Sequence, residues 1–211
     1  MSTRAKFLLL SVLVFFFFVC FSYVVHKNIF TQFDFDTTVR LQDHISRRFD
    51  PFFSFLSTIG RVEFVSVLLT IILVVYRKWK GIIVLFLFGI FHLFEIYGKT
   101  FVNHLPPPHF LLRTQQLISL PNYYVSAENS YPSGHAARAI FITTILAIML
   151  SKSHKLNSKQ KLIIFVILSI YDMTMIISRI YLAEHWTTDV IGGALLGFSF
   201  AVFAGFFMET S

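Results

Sequence analysis

Apolar residues occur along the chain in six long runs separated by shorter polar segments. A helix that crosses the hydrocarbon core of a bilayer needs about 20 mostly apolar residues. Runs near that length cover residues 7–25, 52–76, 81–100, 136–150, 162–182 and 187–208. The pattern therefore predicts an all-α protein, a six-transmembrane-helix bundle that forms a single domain over residues 1–211.

The first apolar run has features in common with a secretory signal peptide. It is long for the apolar core of such a peptide, and no small-residue cleavage site follows it. We therefore expect this run to be retained as the first spanning helix.

The positions of Lys and Arg between the runs predict the orientation of the helices. Basic residues gather in the amino terminus and in the segments 77–80 and 152–161, which share one side of a six-span arrangement. Short basic loops face the cytoplasm. We predict a multi-pass protein of the cell membrane with both termini in the cytoplasm and the segments 26–51, 101–134 and 183–186 outside.

Composition supports a membrane environment and argues against a nucleic-acid partner. Hydrophobic residues make up 55% of the 211 residues and charged residues 14%, whereas soluble domains are about 25% charged. The net charge of +7 is spread over short gaps between apolar runs, not along one surface stripe. The single cysteine, Cys20, allows neither an internal disulfide nor a metal site built from cysteines.

Polar side chains with catalytic potential lie at the predicted outer ends of four spans. Lys99 ends the third span, a Pro-Ser-Gly-His segment at 132–135 precedes the fourth, and Arg179 lies near the end of the fifth. His185 and Asp189 lie at the start of the sixth. The predicted topology brings these sequence-distant groups to one membrane face, where we expect the active site.

The types of these residues suit a phosphate group. Lys99 and Arg179 supply positive charge, and an arginine can hold two phosphate oxygens at once. The fourth and sixth spans both begin at this face, so their free N–H groups point toward the site. At Ser133 and Gly134 the backbone can close on an anion, because glycine has no side chain to obstruct it.

Two histidines suit nucleophilic and acid–base roles. His185 and Asp189 are four residues apart and share a helix face, so the carboxylate can hold one imidazole nitrogen protonated while the other attacks. His135 can protonate a leaving oxygen. Each motif residue also has an ordinary alternative, since Ser133 can cap a helix and charged residues often anchor the ends of spans.

Two of the motifs are complete matches to a known signature. They resemble the type 2 phosphatidic acid phosphatase superfamily, which includes the vanadium haloperoxidases and has the signature K-x6-R-P, P-S-G-H and S-R-x5-H-x3-D. The second motif is complete at 132–135 and the third from Ser178 to Asp189. The resemblance covers the chain from about residue 36 to the end of the sixth span. It implies a lipid phosphatase that uses no metal and no other cofactor.

The first motif departs from the family pattern. Counting from Lys99, the family arginine falls at Pro106 and the motif proline at Pro107. Arg113 or Arg138 can replace the missing cation. We favour Arg113, because its loop is long enough to fold back over the site.

Three further polar residues of this region have supporting or minor roles in the prediction. Glu95 precedes Lys99 by four residues, and we expect it to orient that lysine through a helical ion pair. His104 and His109 are weaker candidates for the site, and no metal site is expected from them.

The resemblance implies a two-step reaction. His185 attacks phosphorus, Asp189 stabilises the charged imidazole, and His135 protonates the leaving oxygen and then activates the water that releases phosphate. The groups implied to hold the phosphate oxygens are Lys99, Ser133, Gly134, Arg179 and, in place of the missing arginine, Arg113.

The sequence leaves the substrate and the final acceptor open. Isoprenoid-lipid pyrophosphate, phosphatidylglycerol phosphate and phosphatidic acid are the implied substrates, and membrane lipids are the expected surroundings. A transferase that passes the phospho-headgroup to an alcohol is one alternative, and a non-catalytic transporter or scaffold is another. Only Pro106 favours the last of these. The sequence does not fix the oligomeric state.

Overall fold

The computed structural model describes residues 1–75, 81–115 and 129–209. This part of the chain is all-helical, as predicted, and two short 3-10 turns at Arg47–Phe49 and His109–Leu111 accompany the α-helices. The α-helices are α1 (Thr3–His26), α2 (Thr31–His44), α3 (Asp50–Ile59), α4 (Val62–Val75), α5 (Gly81–Phe101), α6 (Gly134–Ser151), α7 (Ser158–Tyr181) and α8 (Thr187–Met208).

Five helices, α1 and α5 to α8, are each long and apolar enough to cross a membrane. The predicted second span is instead a broken pair, because α3 and α4 meet at an angle of 57°. Counting this pair as one span gives six, in agreement with the prediction. Large apolar side chains such as Phe16, Val67, Phe86 and Ile163 are exposed on the outer surface of the bundle, as expected for contact with lipid.

Helix α8 lies at the centre of the bundle and packs most extensively on α6 and α1. Two glycines let α8 approach the α6 backbone closely. A methyl group at Gly193 would lie 2.2 Å from the carbonyl oxygen of Ser133, and one at Gly197 would lie 2.1 Å from that of Ala137. Close contact through small residues is typical of helix packing in membranes. It places the amino-terminal ends of α6 and α8 side by side.

Helix α2 falls in a segment that the sequence pattern predicts as a loop. Its buried residues are the polar Asp34, Thr38 and Gln42, which form one stripe at four-residue spacing. Its apolar Phe33 and Phe35 are exposed. Gln42 Nε2 donates to the carbonyl oxygen of Tyr181 at 2.8 Å, so the polar stripe rests on the end of α7.

Candidate functional site

The site forms where α6 and α8 begin. Ser133 caps α6 by accepting a hydrogen bond from the Ala136 N–H at 3.5 Å. The backbone N–H of Ser133 donates to the carbonyl oxygen of Asp189 at 2.9 Å, which ties the two helix starts together. Lys99, at the end of α5, donates from Nζ to the carbonyl oxygen of Ser130 at 3.1 Å. The structure thus brings the three motif segments to one end of the bundle.

His185 and Asp189 form the predicted pair. His185 Nδ1 lies 3.4 Å from Asp189 Oδ2, and the same oxygen accepts the Trp186 N–H at 3.0 Å. The other oxygen of this fully buried carboxylate, Oδ1, lies 2.8 Å from His104 Nδ1. With its Nδ1 directed at Asp189, His185 keeps Nε2 for attack on an electrophile.

The turn between α7 and α8 fixes His185 relative to Arg179. The carbonyl oxygen of Arg179 accepts the N–H groups of Glu184 at 3.1 Å and His185 at 3.3 Å. Ala183 closes this turn with a φ of 53°, a conformation that costs a non-glycine residue free energy. The short S-R-x5-H spacing therefore fixes the position of the His185 imidazole relative to the Arg179 guanidinium.

Arg179 is fully buried at the site. Its Nη1 donates to Ser57 Oγ at 2.6 Å and forms an ion pair with the Glu184 carboxylate. Its Nη2 is buried and has no hydrogen-bond partner among the described residues. Buried polar groups are nearly always paired, so an unpaired guanidinium nitrogen indicates a position for an anionic ligand.

His135, in the first turn of α6, has a second buried nitrogen without a hydrogen-bond partner within the described ranges. Its Nε2 is buried, and the described part of the chain offers it no hydrogen-bond partner. A methyl group at Gly60 would lie 3.0 Å from His135 Cδ2, so the glycine at the break between α3 and α4 makes room for the ring. His135 can therefore act on the same ligand as Arg179.

Glu95 and Arg138 form a buried ion pair beside Gly134. Arg138 Nη1 lies 3.2 Å from Glu95 Oε2, and its Nε donates to the carbonyl oxygen of Gly60 at 3.2 Å. A methyl group at Gly134 would lie 2.0 Å from Glu95 Oε1, so glycine is needed there. The predicted Glu95–Lys99 ion pair is wrong, because Arg138 from α6 takes the carboxylate.

Arg113 lies in a different cluster from the other predicted residues. Its Nη1 donates to the carbonyl oxygen of Gln42 and to Tyr181 Oη, both at 3.2 Å, and its guanidinium stacks over the Tyr181 ring at 5.1 Å. Its backbone N–H donates to the carbonyl oxygen of Leu182 at 3.1 Å. These contacts hold Arg113 against α2 and the end of α7, whereas Arg138 lies next to Gly134.

Two further residues of the site are His104, which the sequence pattern makes only a weak candidate, and Glu184, which it does not predict. His104 contacts Asp189 directly, and Glu184 pairs with Arg179 and accepts a hydrogen bond from Thr114 Oγ1 at 2.7 Å. A sequence signal existed for Glu184, which immediately precedes His185 inside the third motif. For His104 the only sequence signal was its position within the first motif, the one that departs from the family pattern.

Charge and burial adjust the ionisation of the groups between α7 and α8. Burial lowers the pKa of His185, the hydrogen bond to Asp189 opposes this shift, and the nearby Lys99 ammonium adds to it. Burial alone would raise the pKa of Glu184, but Arg179 and the hydrogen bond from Thr114 outweigh it and lower that pKa. At neutral pH His185 is therefore a neutral imidazole and Glu184 a carboxylate.

No group of three or more His, Cys, Asp or Glu side chains within residues 1–75, 81–115 and 129–209 is arranged to hold a metal ion. The donors that converge on the site are instead cationic or imidazole nitrogens, which suit an anion. The predicted independence of metals stays a prediction for assay.

Comparison with known proteins finds a family match over more than half of the chain. The PAP2 superfamily profile matches residues 65–210. The chain is 31% identical over 123 residues to phosphatidylglycerophosphatase B of Bacillus subtilis (strain 168), covering 58% of this chain and 55% of that protein. It is 32% identical over 145 residues to an undecaprenyl-diphosphatase of Sulfolobus acidocaldarius, covering 68% and 63%. The chain thus spans less than two thirds of either curated relative.

Two solved structures share the fold. The crystal structure of the first transmembrane PAP2 type phosphatidylglycerolphosphate phosphatase from Bacillus subtilis has a TM-score of 0.77 at 24% identity, covering 95% of this chain and 97% of that chain. The crystal structure of Aquifex aeolicus LpxE has a TM-score of 0.62 at 24% identity, covering 82% and 94%. The likeness to the first of these structures extends over nearly the whole chain.

Proposed function

Because the chain belongs to the PAP2 superfamily, we propose that it is a membrane lipid phosphatase that forms a phosphohistidine intermediate. One observation carries the proposal. The His185–Asp189 pair lies at the same end of the bundle as two buried, unpaired nitrogens, Arg179 Nη2 and His135 Nε2. A phosphoryl group held by these nitrogens would present its phosphorus to His185.

In the first step His185 Nε2 forms a bond to phosphorus as the bond to the lipid oxygen breaks. Protonated His135 gives its proton to that oxygen, and Asp189 balances the positive charge on the phosphorylated imidazole. Arg179, Lys99 and the amino-terminal end of α6 carry the charge of the phosphoryl oxygens. In the second step His135 takes a proton from water, which attacks phosphorus and restores His185.

The names of the relatives support a lipid phosphate as the substrate. One relative is named for phosphatidylglycerol phosphate and another for a polyprenyl diphosphate. We therefore propose an isoprenoid-lipid pyrophosphate, phosphatidylglycerol phosphate or phosphatidic acid as the substrate of this chain. The exposed apolar surface of the bundle keeps such lipids within reach of the site.

A phosphate-release assay tests the proposed function. Purified protein in detergent should release phosphate from at least one of the three lipids in the presence of a chelator, because the site offers cationic nitrogens in place of metal ligands. Vanadate, which resembles five-coordinate phosphorus, should inhibit the release. Loss of activity on chelation with recovery in magnesium would contradict the histidine scheme. A requirement for an added acceptor alcohol would indicate a transferase instead.

We also propose that the site faces the outside of the cell, on the basis of the basic segments between spans. In a Cys20→Ala background, an impermeant maleimide applied to intact cells should label Phe110→Cys, which replaces an exposed residue in the 101–134 segment. It should spare Lys155→Cys until the cells are lysed. The reverse labelling pattern would place the site in the cytoplasm.

The sequence favours Arg113 over Arg138 as the substitute for the missing first-motif arginine. The contacts of the two residues favour the opposite order. Arg138→Ala should lose far more activity than Arg113→Ala, because it leaves Glu95 unpaired beside Gly134 and frees the Gly60 carbonyl. Breaking such a buried ion pair costs about 3 kcal/mol or more. Values of kcat/KM and thermal midpoints of both variants check the prediction.

The double variant Arg138→Ala/Glu95→Gln separates folding from catalysis, since it removes the unpaired charge. We expect it to recover stability without recovering full activity. A larger loss of kcat/KM in Arg113→Ala than in Arg138→Ala would restore Arg113 as the substitute for the first-motif arginine.

A further inference from the structure

His104 lies buried between two carboxylates from different helices. Its Nδ1 is 2.8 Å from Asp189 Oδ1, and its Nε2 is 3.6 Å from Asp34 Oδ2. Asp34 comes from α2 and is almost completely buried. It accepts hydrogen bonds from Thr188 N at 2.9 Å and Thr188 Oγ1 at 2.7 Å. Asp34, His104, Asp189 and His185 therefore form one continuous chain of contacts.

The backbone around His104 is fixed as firmly as its ring. The His104 N–H donates to Asn129 Oδ1 at 3.0 Å, and its carbonyl oxygen accepts the Ser130 N–H at 2.9 Å. The carbonyl oxygen of Ser130 in turn accepts from Lys99 Nζ at 3.1 Å. The segment after α5 is thus tied to the segment that leads into the Pro-Ser-Gly-His motif, and His104 has little freedom to leave Asp189.

We propose that His104, held by Asp34, is a positioning residue. It fixes the position of the Asp189 carboxylate and balances part of its charge, so that Asp189 can orient His185. This inference rests on the proposed function. His104 does not touch the phosphoryl group in this scheme. It acts through Asp189, whose other oxygen orients the nucleophile.

The charges of the four groups Asp34, His104, Asp189 and His185 explain why two carboxylates are present. Asp189 alone could balance one imidazolium, but a charged His104 would compete with His185 for it. Asp34 supplies the second negative charge. With His104 protonated, the four groups reach neutrality only when His185 also becomes positive, which is the state created by its attack on phosphorus. The arrangement therefore favours the phosphorylated imidazole over the resting one.

The ionisation of His104 agrees with this charge count. Burial would lower its pKa, but the hydrogen bonds and charges of Asp189 and Asp34 outweigh burial and raise the pKa to about 9. Three titratable groups outside these four residues also act on them. Lys99 from α5 and Tyr131 interact with Asp189, and Glu184 interacts with His185. At neutral pH His104 is a cation, and above about pH 9 it loses that charge.

The same shift affects stability in a defined pH window. Because the pKa in the folded state is raised above the unfolded value of about 6.5, the stabilisation by His104 is complete below that pH. It is lost as the pH rises through about 9. If His104 had only a structural role, its titration would change stability and not the rate of the reaction. A test must therefore measure kcat as well as stability.

Dependence of kcat on pH in Asp34→Asn and His104→Gln gives that readout. In the wild type kcat should fall above about pH 9. Asp34→Asn should move this alkaline fall to lower pH by about one unit or more, because His104 loses one of its two carboxylates. His104→Gln should abolish the fall and lower kcat at pH 7.5 by about ten- to hundredfold with little change in KM.

Gln42→Ala is the matched control, because it removes two hydrogen bonds of α2, to Tyr181 and Leu111, without touching the chain of contacts. It should leave the alkaline fall where the wild type has it. The inference is overturned if Asp34→Asn and His104→Gln lower the thermal midpoint but leave the pH of the alkaline fall and kcat unchanged.

Vanadate binding, measured directly by ⁵¹V NMR at pH 7.5, separates this inference from the proposed function. If no lipid phosphate is hydrolysed by the wild type, the proposed function fails. A dissociation constant for vanadate raised about tenfold in His104→Gln, with the wild-type value in Gln42→Ala, would still support the positioning of His185. An unchanged constant in His104→Gln would refute it.

Discussion

Replacement of His185 by alanine is expected to lower phosphate release by at least about 1,000-fold, because it removes the nucleophile of the proposed reaction. The loss should appear in kcat and should be accompanied by the absence of an acid-labile phosphoenzyme after rapid quenching. In the wild type the rate should fall on acidification only below pH 6.5, since the pKa of His185 is lowered from that ordinary value and only the neutral imidazole attacks.

His135→Ala is the matched control for this prediction. It should still form the phosphoenzyme with nitrophenyl phosphate, whose leaving oxygen needs little protonation, and should lose most activity with a lipid phosphate. His185→Ala should fail with both substrates. Near-normal turnover in His185→Ala, or equal losses for both substrates in His135→Ala, would contradict the assigned roles.

Replacement of Arg179 by alanine is expected to have an effect of similar size. Its Nη2 is buried and has no hydrogen-bond partner among the described residues, and an arginine on a transferring phosphoryl group contributes about 1,000-fold or more to the rate. Arg179→Lys keeps the charge but loses the planar fork, so we expect it to recover only a small part of kcat/KM.

Arg179 forms an ion pair with Glu184, so Arg179→Ala also affects stability, and a change at Glu184 provides the control. Arg179→Ala leaves the Glu184 carboxylate without its ion-pair partner, at a cost of about 3 kcal/mol. Arg179→Ala/Glu184→Gln removes that charge and should restore the thermal midpoint without restoring turnover. If the double variant regains activity along with stability, Arg179 supports the fold and does not hold the phosphate.

The sequence predicted the spans well wherever burial follows hydropathy. The limits of α8 agree to the residue with the predicted run at 187–208, and α5 agrees to within one residue. Helix α2 was not predicted because its buried face is polar and its apolar residues are exposed. The break at Gly60 was not predicted either, since both halves of the run are apolar. The contacts made at the break, with His135 and Arg138, come from a distant part of the sequence.

For the site, the motifs predicted which residues meet but not all of their partners. The structure contains the predicted His185–Asp189 contact, although His185 lies in the turn before α8 and not on the helix itself. The partner of Glu95 comes from α6, and a further partner of Asp189, His104, comes from the loop after α5. Spacing along one helix cannot reveal such partners. The orientation of the bundle in the membrane and the roles of the site residues stay predictions, which the labelling and kinetic experiments address.

The polar stripe of α2 has a consequence for how the protein responds to temperature. Separation of α2 from the ends of α7 and α8 would hydrate Asp34, Thr38 and Gln42 while Phe33 and Phe35 kept their surroundings. Exposure of polar surface lowers the heat capacity, whereas exposure of apolar surface raises it. The attachment of α2 therefore relies largely on polar contacts, with Leu41 packed against Ala136, Ile180 and Val190. It gains little of the hydrophobic contribution that strengthens on warming from low temperature. Heating should release this helix from the site before it disrupts the bundle beneath.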